Sequence, residues 1–259
     1  MAITGCIYAF QEEIQDLTQP YRFVDKQKGD LLSPSEIRKI ADEALPNKHI
    51  HGVLYKGEYR AAIAIYYSYE DGYYDLVYVN PYSGSVLKVV DVYQTFFQFI
   101  LDGHFYLWLP HEIGQPLVSI FTLIFVVMLI SGIVLWWPRN KNGTRQRFSI
   151  KWSTRWRRRN YDLHNVLGFY ASALALILAL TGLVWGFEWF RDAAYATAGG
   201  QKSLTYTEPL SDTTSSATKS ISESVDLLWR KLRNAYPNSG SIEAHFPETN
   251  QLHICIFLS

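Results

Sequence analysis

Two stretches of this chain run without a charge for long enough to cross a bilayer. They are Ile113 to Trp137, IGQPLVSIFTLIFVVMLISGIVLWW, and Asn165 to Phe187, NVLGFYASALALILALTGLVWGF. At 1.5 Å of rise per residue, each covers roughly 30 Å of hydrocarbon. A helix in a soluble core rarely continues so far without an ionised residue. The stretches therefore predict two transmembrane helices, and the chain reads as a membrane protein.

The segment joining them predicts their orientation. It carries Arg139, Lys141, Arg145, Arg147, Lys151, Arg155, Arg157, Arg158 and Arg159, and no acid. A short loop this basic stays in the cytoplasm under the positive-inside rule. A basic run also suits nucleic acid, but its place between two spans makes topology the better account. The whole chain, with 24 basic and 24 acidic residues, gives no sign of a nucleic-acid partner. Trp136, Trp137, Trp152 and Trp156 suit the headgroup layer. The loop 138–162 is thus expected in the cytoplasm, with residues 11–112 and those from about 188 onward on the other side.

The outer segments are mixed α and β. SPSEIRKIADEALP reads as a helix capped by Ser33 or Ser35, with Pro34 in its first turn and Pro46 beyond its end. Ile37, Ile40, Ala41 and Ala44 fall at helical spacing. Strand-like runs follow: HIHGVLY, YRAAIAIYY and YYDLVYVN, rich in Val, Ile and Tyr. NPYSG (Asn80–Gly84) is a turn, and SVLKVV another strand. A partial echo closes the chain. A helix with Val225, Leu228 and Leu232 on one face precedes strands near Ser241–Phe246 and Gln251–Phe257. A polar Ser/Thr-rich connector, QKSLTYTEPLSDTTSSATKS, leads into it. Cys6 and Cys255 lie at opposite ends, with no metal-type spacing and no disulfide framework implied.

The opening MAITGCIYAF has no cationic head and about half the apolar length of a span. Its ITGCIYAF resembles two later segments, ISGIVLWW (Ile130–Trp137) and LTGLVWGF (Leu180–Phe187). Each has an aliphatic residue, Thr or Ser, Gly, and then apolar residues ending in aromatics. Gly allows close helix approach in a membrane, and Thr or Ser can bond back to the helix backbone. The opening therefore reads as the outer end of a first span.

Together with LDGHFYLWLP, IGQPLVS, LISGIVLWWPR and DLHNVLGFYASALALILALTGL, these motifs resemble the PepSY-associated transmembrane helix family. Its members are bacterial inner-membrane proteins linked to iron uptake. The outer segments, with VYVNPYSGSVL, look like PepSY modules. The resemblance implies an α-helical transmembrane bundle with periplasmic α+β PepSY-like modules. On that pattern residues 1–10 are the tail of a first span, 11–112 a PepSY-like module and connector, and 113–137 a span. Residues 138–162 form the basic loop and 163–190 a span. Residues 191–220 are a linker, and 221–259 an incomplete second module. Family members typically have a fourth span after the second module, so this sequence resembles the middle of one.

Several members of the resembled family are thought to be haem-containing ferric-siderophore reductases. The resemblance then implies haem b as cofactor, a ferric siderophore as substrate and an electron donor of unknown kind. The chain has seven histidines, and three lie near span ends. His164, in YDLHNVLG, matches the family's LH…G and would be an inner-side axial ligand. His104 matches an outer-side histidine that precedes the IG motif, and His111 lies in the variable link before it. The residue equivalent to His164 in span one would precede Met1, and a span-four partner is missing too. Each expected haem would thus lack one ligand. Two other readings stand beside this one: a non-enzymatic PepSY protein that binds or regulates a periplasmic partner, and a gene fragment without function. His49 and His51 offer two ligands for zinc without a third. Glu188 reads as an interfacial charge.

Overall fold

A computed structural model describes residues 1–137, 149–150, 152–200, 220–237, 239–246 and 256–258. Arg139, Lys141, Arg145, Arg147 and Lys151 of the basic loop lie outside the described residues. So do His253, Cys255 and most of the Ser/Thr-rich connector. The chain forms two compact units: Met1 with Asp102–Leu204, and Ala2–Leu101 with Thr205–Ser259.

The second unit is built on a sheet. Helices α1 (Ala2–Ala9) and α2 (Gln11–Thr18) and a 3-10 turn (Pro20–Arg22) precede α3 (Pro34–Ala44). Four strands follow: β1 (Ile50–Tyr55), β2 (Ala62–Ser68), β3 (Tyr73–Val79) and β4 (Val86–Asp91). The chain returns with α8 (Ile221–Ala235), β5 (Ile242–His245) and β6 (Ile256–Leu258). The strand order is β4-β3-β2-β1-β5-β6, with every neighbouring pair antiparallel.

The segment read from sequence as a separate, incomplete module thus adds its strands to the edge of the first module's sheet. Val53 pairs with Ala244 and Leu54 with Glu243 at the seam. Gly52 is needed there, because a Cβ on it would meet the Ala244 carbonyl oxygen at 2.9 Å.

The two helices on this sheet begin alike. Ser33 caps α3 and Ser220 caps α8. Each forms a capping box with the glutamate three residues on, Glu36 and Glu223, so orphan backbone donors are satisfied at both starts. Ser35, the other capping candidate, instead ties the helices together: its backbone N–H donates to Asp226 at 3.0 Å. Between helices and sheet lie Ile37, Ala41, Ile50, Val53, Tyr66, Val77, Val225 and Trp229, all buried. The alternation of strand side chains places these on one face. Ile63, Tyr78, Leu54, Ile65 and Leu76 lie on the other. In the NPYSG turn the Asn80 side chain accepts from the Tyr82 N–H at 2.9 Å, and Gly84 takes φ +74°, a conformation that favours glycine.

The first unit is helical. The end of α4 (Phe96–Tyr106) leads into α5 (His111–Trp136), and α6 (Trp156–Gly186) is followed by α7 (Glu188–Thr197). Two elements depart from the sequence boundaries. The basic residues Arg157, Arg158 and Arg159 belong to the first turns of α6 rather than to a loop. Arginine is a good helix former, and Arg158 Nε sits 3.0 Å from Asp162 Oδ1 one turn on. The second predicted span also ends at Gly186, because Phe187 takes an extended conformation and a new helix starts at Glu188.

α5 and α6 run antiparallel. Ser119 meets Gly186, Val126 packs with Ala179 and Leu183, and Trp136 stacks on Phe169 at 4.7 Å. A Cβ on Gly186 would lie 2.3 Å from Ser119 Oγ. Gly186 is therefore the close-approach residue here. Gly132 and Gly182, the glycines of the repeated motif, have nothing within 4 Å of a Cβ position. The motif's hydroxyls do bond back to their helices: Ser131 to the Met128 carbonyl at 3.1 Å and Thr181 to the Leu178 carbonyl at 2.8 Å.

Candidate functional site

His164 is exposed on α6, one turn before Gly168. Helical spacing places both beside Phe169 and Ser172, and antiparallel pairing brings up Met128, Gly132 and Trp136 of α5. These residues line a cleft of about 220 Å³. Gly132 and Gly168 leave open space where a side chain would stand. The Trp136–Phe169 stack lies beside it, and the Ser172 hydroxyl is turned onto its own helix, 2.6 Å from the Phe169 carbonyl. The cleft thus offers one imidazole, a bare glycine on each helix and an apolar, aromatic and thioether lining. Asp162, two residues earlier, is buried. One of its carboxylate oxygens is bonded by Arg158 and the other has no partner in the described structure.

The other two histidine candidates stand at the far end of the helix pair. His104 is half-buried on α4, its Nδ1 3.2 Å from the Met1 carbonyl and its ring edge-on to Phe105. The chain then turns through Leu107 and Trp108, both left-handed at φ 54° and 57°. Non-glycine residues pay steric strain in that conformation. Trp108 folds its indole onto Gly103, where a Cβ would lie 2.3 Å from the ring. His111 follows Pro110 at the start of α5, exposed, with its ring 5.1 Å from that of Tyr106. Twenty-two residues of α6 separate His164 from Gly186, roughly 30 Å of helix axis. The structure groups His104 and His111 at one corner and sets His164 apart from both.

A further cluster escaped sequence reasoning. His49 lies before β1, exposed, and shares no strand with His51. The neighbour of His51 is His245 on β5, with ring centroids 4.5 Å apart. His245 Nε2 also sits 3.1 Å from Glu243 Oε1. This bond holds the Glu243 carboxyl below its ordinary range against the opposing effect of burial. No periodicity links His51 to His245; only the β1–β5 pairing does. Among the described residues no group of three His, Cys, Asp or Glu side chains is arranged to hold a metal ion, so the zinc reading of His49 and His51 gains nothing.

α5 and α6 leave much of their apolar surface exposed. Val134 is 68% exposed, Leu135 83% and Trp185 82%. Aliphatic surface on this scale needs lipid or other apolar cover. A family model described as PepSY-associated TM region matches residues 1–250. The chain belongs to that family. No curated protein matches it. As a PepSY-associated TM protein it is a membrane protein, with two helices long and apolar enough to cross a bilayer and a six-stranded antiparallel sheet beside them in sequence.

Proposed function

We propose that this protein carries electrons across the bacterial inner membrane to ferric iron, held by a siderophore, on the periplasmic side. The observation that carries the reading is the His164 cleft. A planar, apolar macrocycle needs an exposed imidazole, room for its face and a hydrophobic wall. His164, the two bare glycines Gly132 and Gly168, and Met128, Trp136 and Phe169 have those properties. Haem b bound there would supply a one-electron couple.

The protein's own part is to hold and orient. His164 would hold the iron through one imidazole nitrogen. Phe169 and Trp136, stacked on each other, would keep water from one side. Gly132 and Gly168 would let the ring approach both backbones. His104 and His111, at the other end of the helix pair, mark where a second group would sit if electrons are to cover the width of the bilayer. One electron from a donor on the inner side takes Fe³⁺ to Fe²⁺ at the acceptor, leaving the donor oxidised by one electron, and siderophores release Fe²⁺ readily.

The test is spectroscopic. Membranes containing the full chain, from cells supplied with haem precursor, should show a Soret band and a dithionite-reduced α-band. His164→Ala should diminish both while the protein level holds. A well-folded, membrane-inserted protein with no Soret band would end the proposal. The protein would then be a PepSY membrane protein whose spans only anchor it.

A further inference from the structure

The sheet-based unit holds a second cleft, of about 310 Å³, unrelated to any histidine. Its floor is the sheet face away from the α3–α8 core, where Leu54, Ile65 and Leu76 contribute aliphatic surface. Arg22 and Lys56 stand at one end. None of its described lining residues is acidic.

The charges at that end do not balance. The Arg22 side chain is 6% exposed; its Nε donates to Asp16 Oδ1 at 3.1 Å, its Nη1 donates to Gln15 Oε1, and its Nη2 lies 3.9 Å from Glu12 Oε1. The Arg60 guanidinium bonds the same carboxylate, with one contact of 2.8 Å. Lys56 Nζ donates to Glu12 Oε1 at 2.9 Å. Hydrogen bonds from Lys56 and Arg60 hold the Glu12 and Asp16 carboxyls below their ordinary range, so both are ionised at neutral pH. Three cations therefore share two carboxylates, and the most buried of the three faces the cleft. One positive charge of the group is thus left without a carboxylate of its own, and an anion placed there gains charge-assisted hydrogen bonds.

The floor also carries a phenol. Tyr78 is 6% exposed and lines the cleft. Burial raises its pKa, so it stays a neutral donor. Tyr21 packs edge-on to it at 4.9 Å. The cleft thus has an anion position at one end, an aliphatic floor and phenolic donors beside it.

We propose that this cleft binds a small monoanionic amphiphile: a carboxylate on an apolar or aromatic body with one further hydrogen-bond acceptor. The carboxylate lies against Arg22 and Lys56, the body on the aliphatic floor, and the second acceptor takes a phenolic hydrogen bond.

N-acetylphenylalanine and its uncharged amide, N-acetylphenylalaninamide, test this on the full chain in lipid nanodiscs by calorimetry or saturation-transfer NMR. The acid should bind roughly tenfold more tightly than the amide, the value of one charge-assisted hydrogen bond. Arg22 is buried in a network and its replacement risks the fold, so Lys56→Met is the charge variant. It should weaken the acid by roughly fivefold and leave the amide unchanged. Ile65→Trp, which fills the floor without touching a charge, should remove both. Circular dichroism checks that each variant is folded. Equal affinity for acid and amide, acid binding that survives Ile65→Trp, or no acid binding at millimolar concentration overturns the proposal.

Discussion

Replacing Trp229 tests whether the C-terminal strands are part of the core. Trp229 is 2% exposed on α8, tilted against Tyr55 with ring centroids 5.0 Å apart. Truncating a buried Trp to Ala costs about 3–5 kcal/mol. Trp229 also holds a buried indole N–H with no acceptor, and such an orphan costs about 1–3 kcal/mol. Trp229→Phe loses part of the ring, about 1–2 kcal/mol of burial, but removes the orphan donor. The two effects nearly cancel, so Trp229→Phe should fall within about 1 kcal/mol of the parent. Pulse proteolysis of the full chain across a urea series gives both values from the shift in midpoint. If Trp229→Ala unfolds at the parent's urea concentration, α8 and β5 are not packed as described. If Trp229→Phe is as damaging as Trp229→Ala, the reasoning about the orphan N–H is wrong.

Two further outcomes are expected. Gly186→Val would place carbon 2.3 Å from Ser119 Oγ and should cost about 1–3 kcal/mol by overpacking. Ser119→Gly in the same chain should recover most of it in an SDS-unfolding titration, and a neutral single variant would refute the helix pairing. Asp16→Asn should destabilise the protein at neutral pH and matter less as pH falls. Asp16 is held below its ordinary value of 3.8 chiefly by the hydrogen bond from Arg60. Its contribution is therefore complete above the unfolded value and is lost as pH drops through the lower folded one. The gap between the urea midpoints of parent and variant should begin to narrow below about pH 4 and go on closing as pH falls further, and a constant gap would show that the carboxylate's charge is not what matters.

Much of the fold was legible wherever the determining pattern is local. Uncharged length marked α5 and α6, helical spacing with a serine cap and flanking prolines marked α3, and Val/Ile/Tyr runs marked β1 to β3. The end of α6 was not legible: Phe187 breaks the helix in the middle of an apolar run that composition alone continues. The role of Gly186 was hidden for a related reason. The repeat drew attention to Gly182, one turn earlier, and only the position of Ser119 on the partner helix distinguishes them. His164 could be singled out from its motif, yet its cleft depends on Gly132, thirty-two positions away. The His51–His245 contact and the Arg22 cleft arise from strand and helix pairings that no local periodicity encodes.

The seam between β1 and β5 also constrains how the protein is made. The strands on its two sides lie before and after the two long apolar helices in the chain, yet they share one sheet. Both must therefore emerge on the same side of the bilayer, which requires an even number of crossings between them, whatever the charge of the connecting loop. Synthesis also reaches β1 long before β5. At roughly 5–20 residues per second the interval is about 10–40 s. During that interval β1 is an unpaired sheet edge with free backbone donors and acceptors. Its final partner becomes available only after both long apolar helices have been made, so the sheet is completed last.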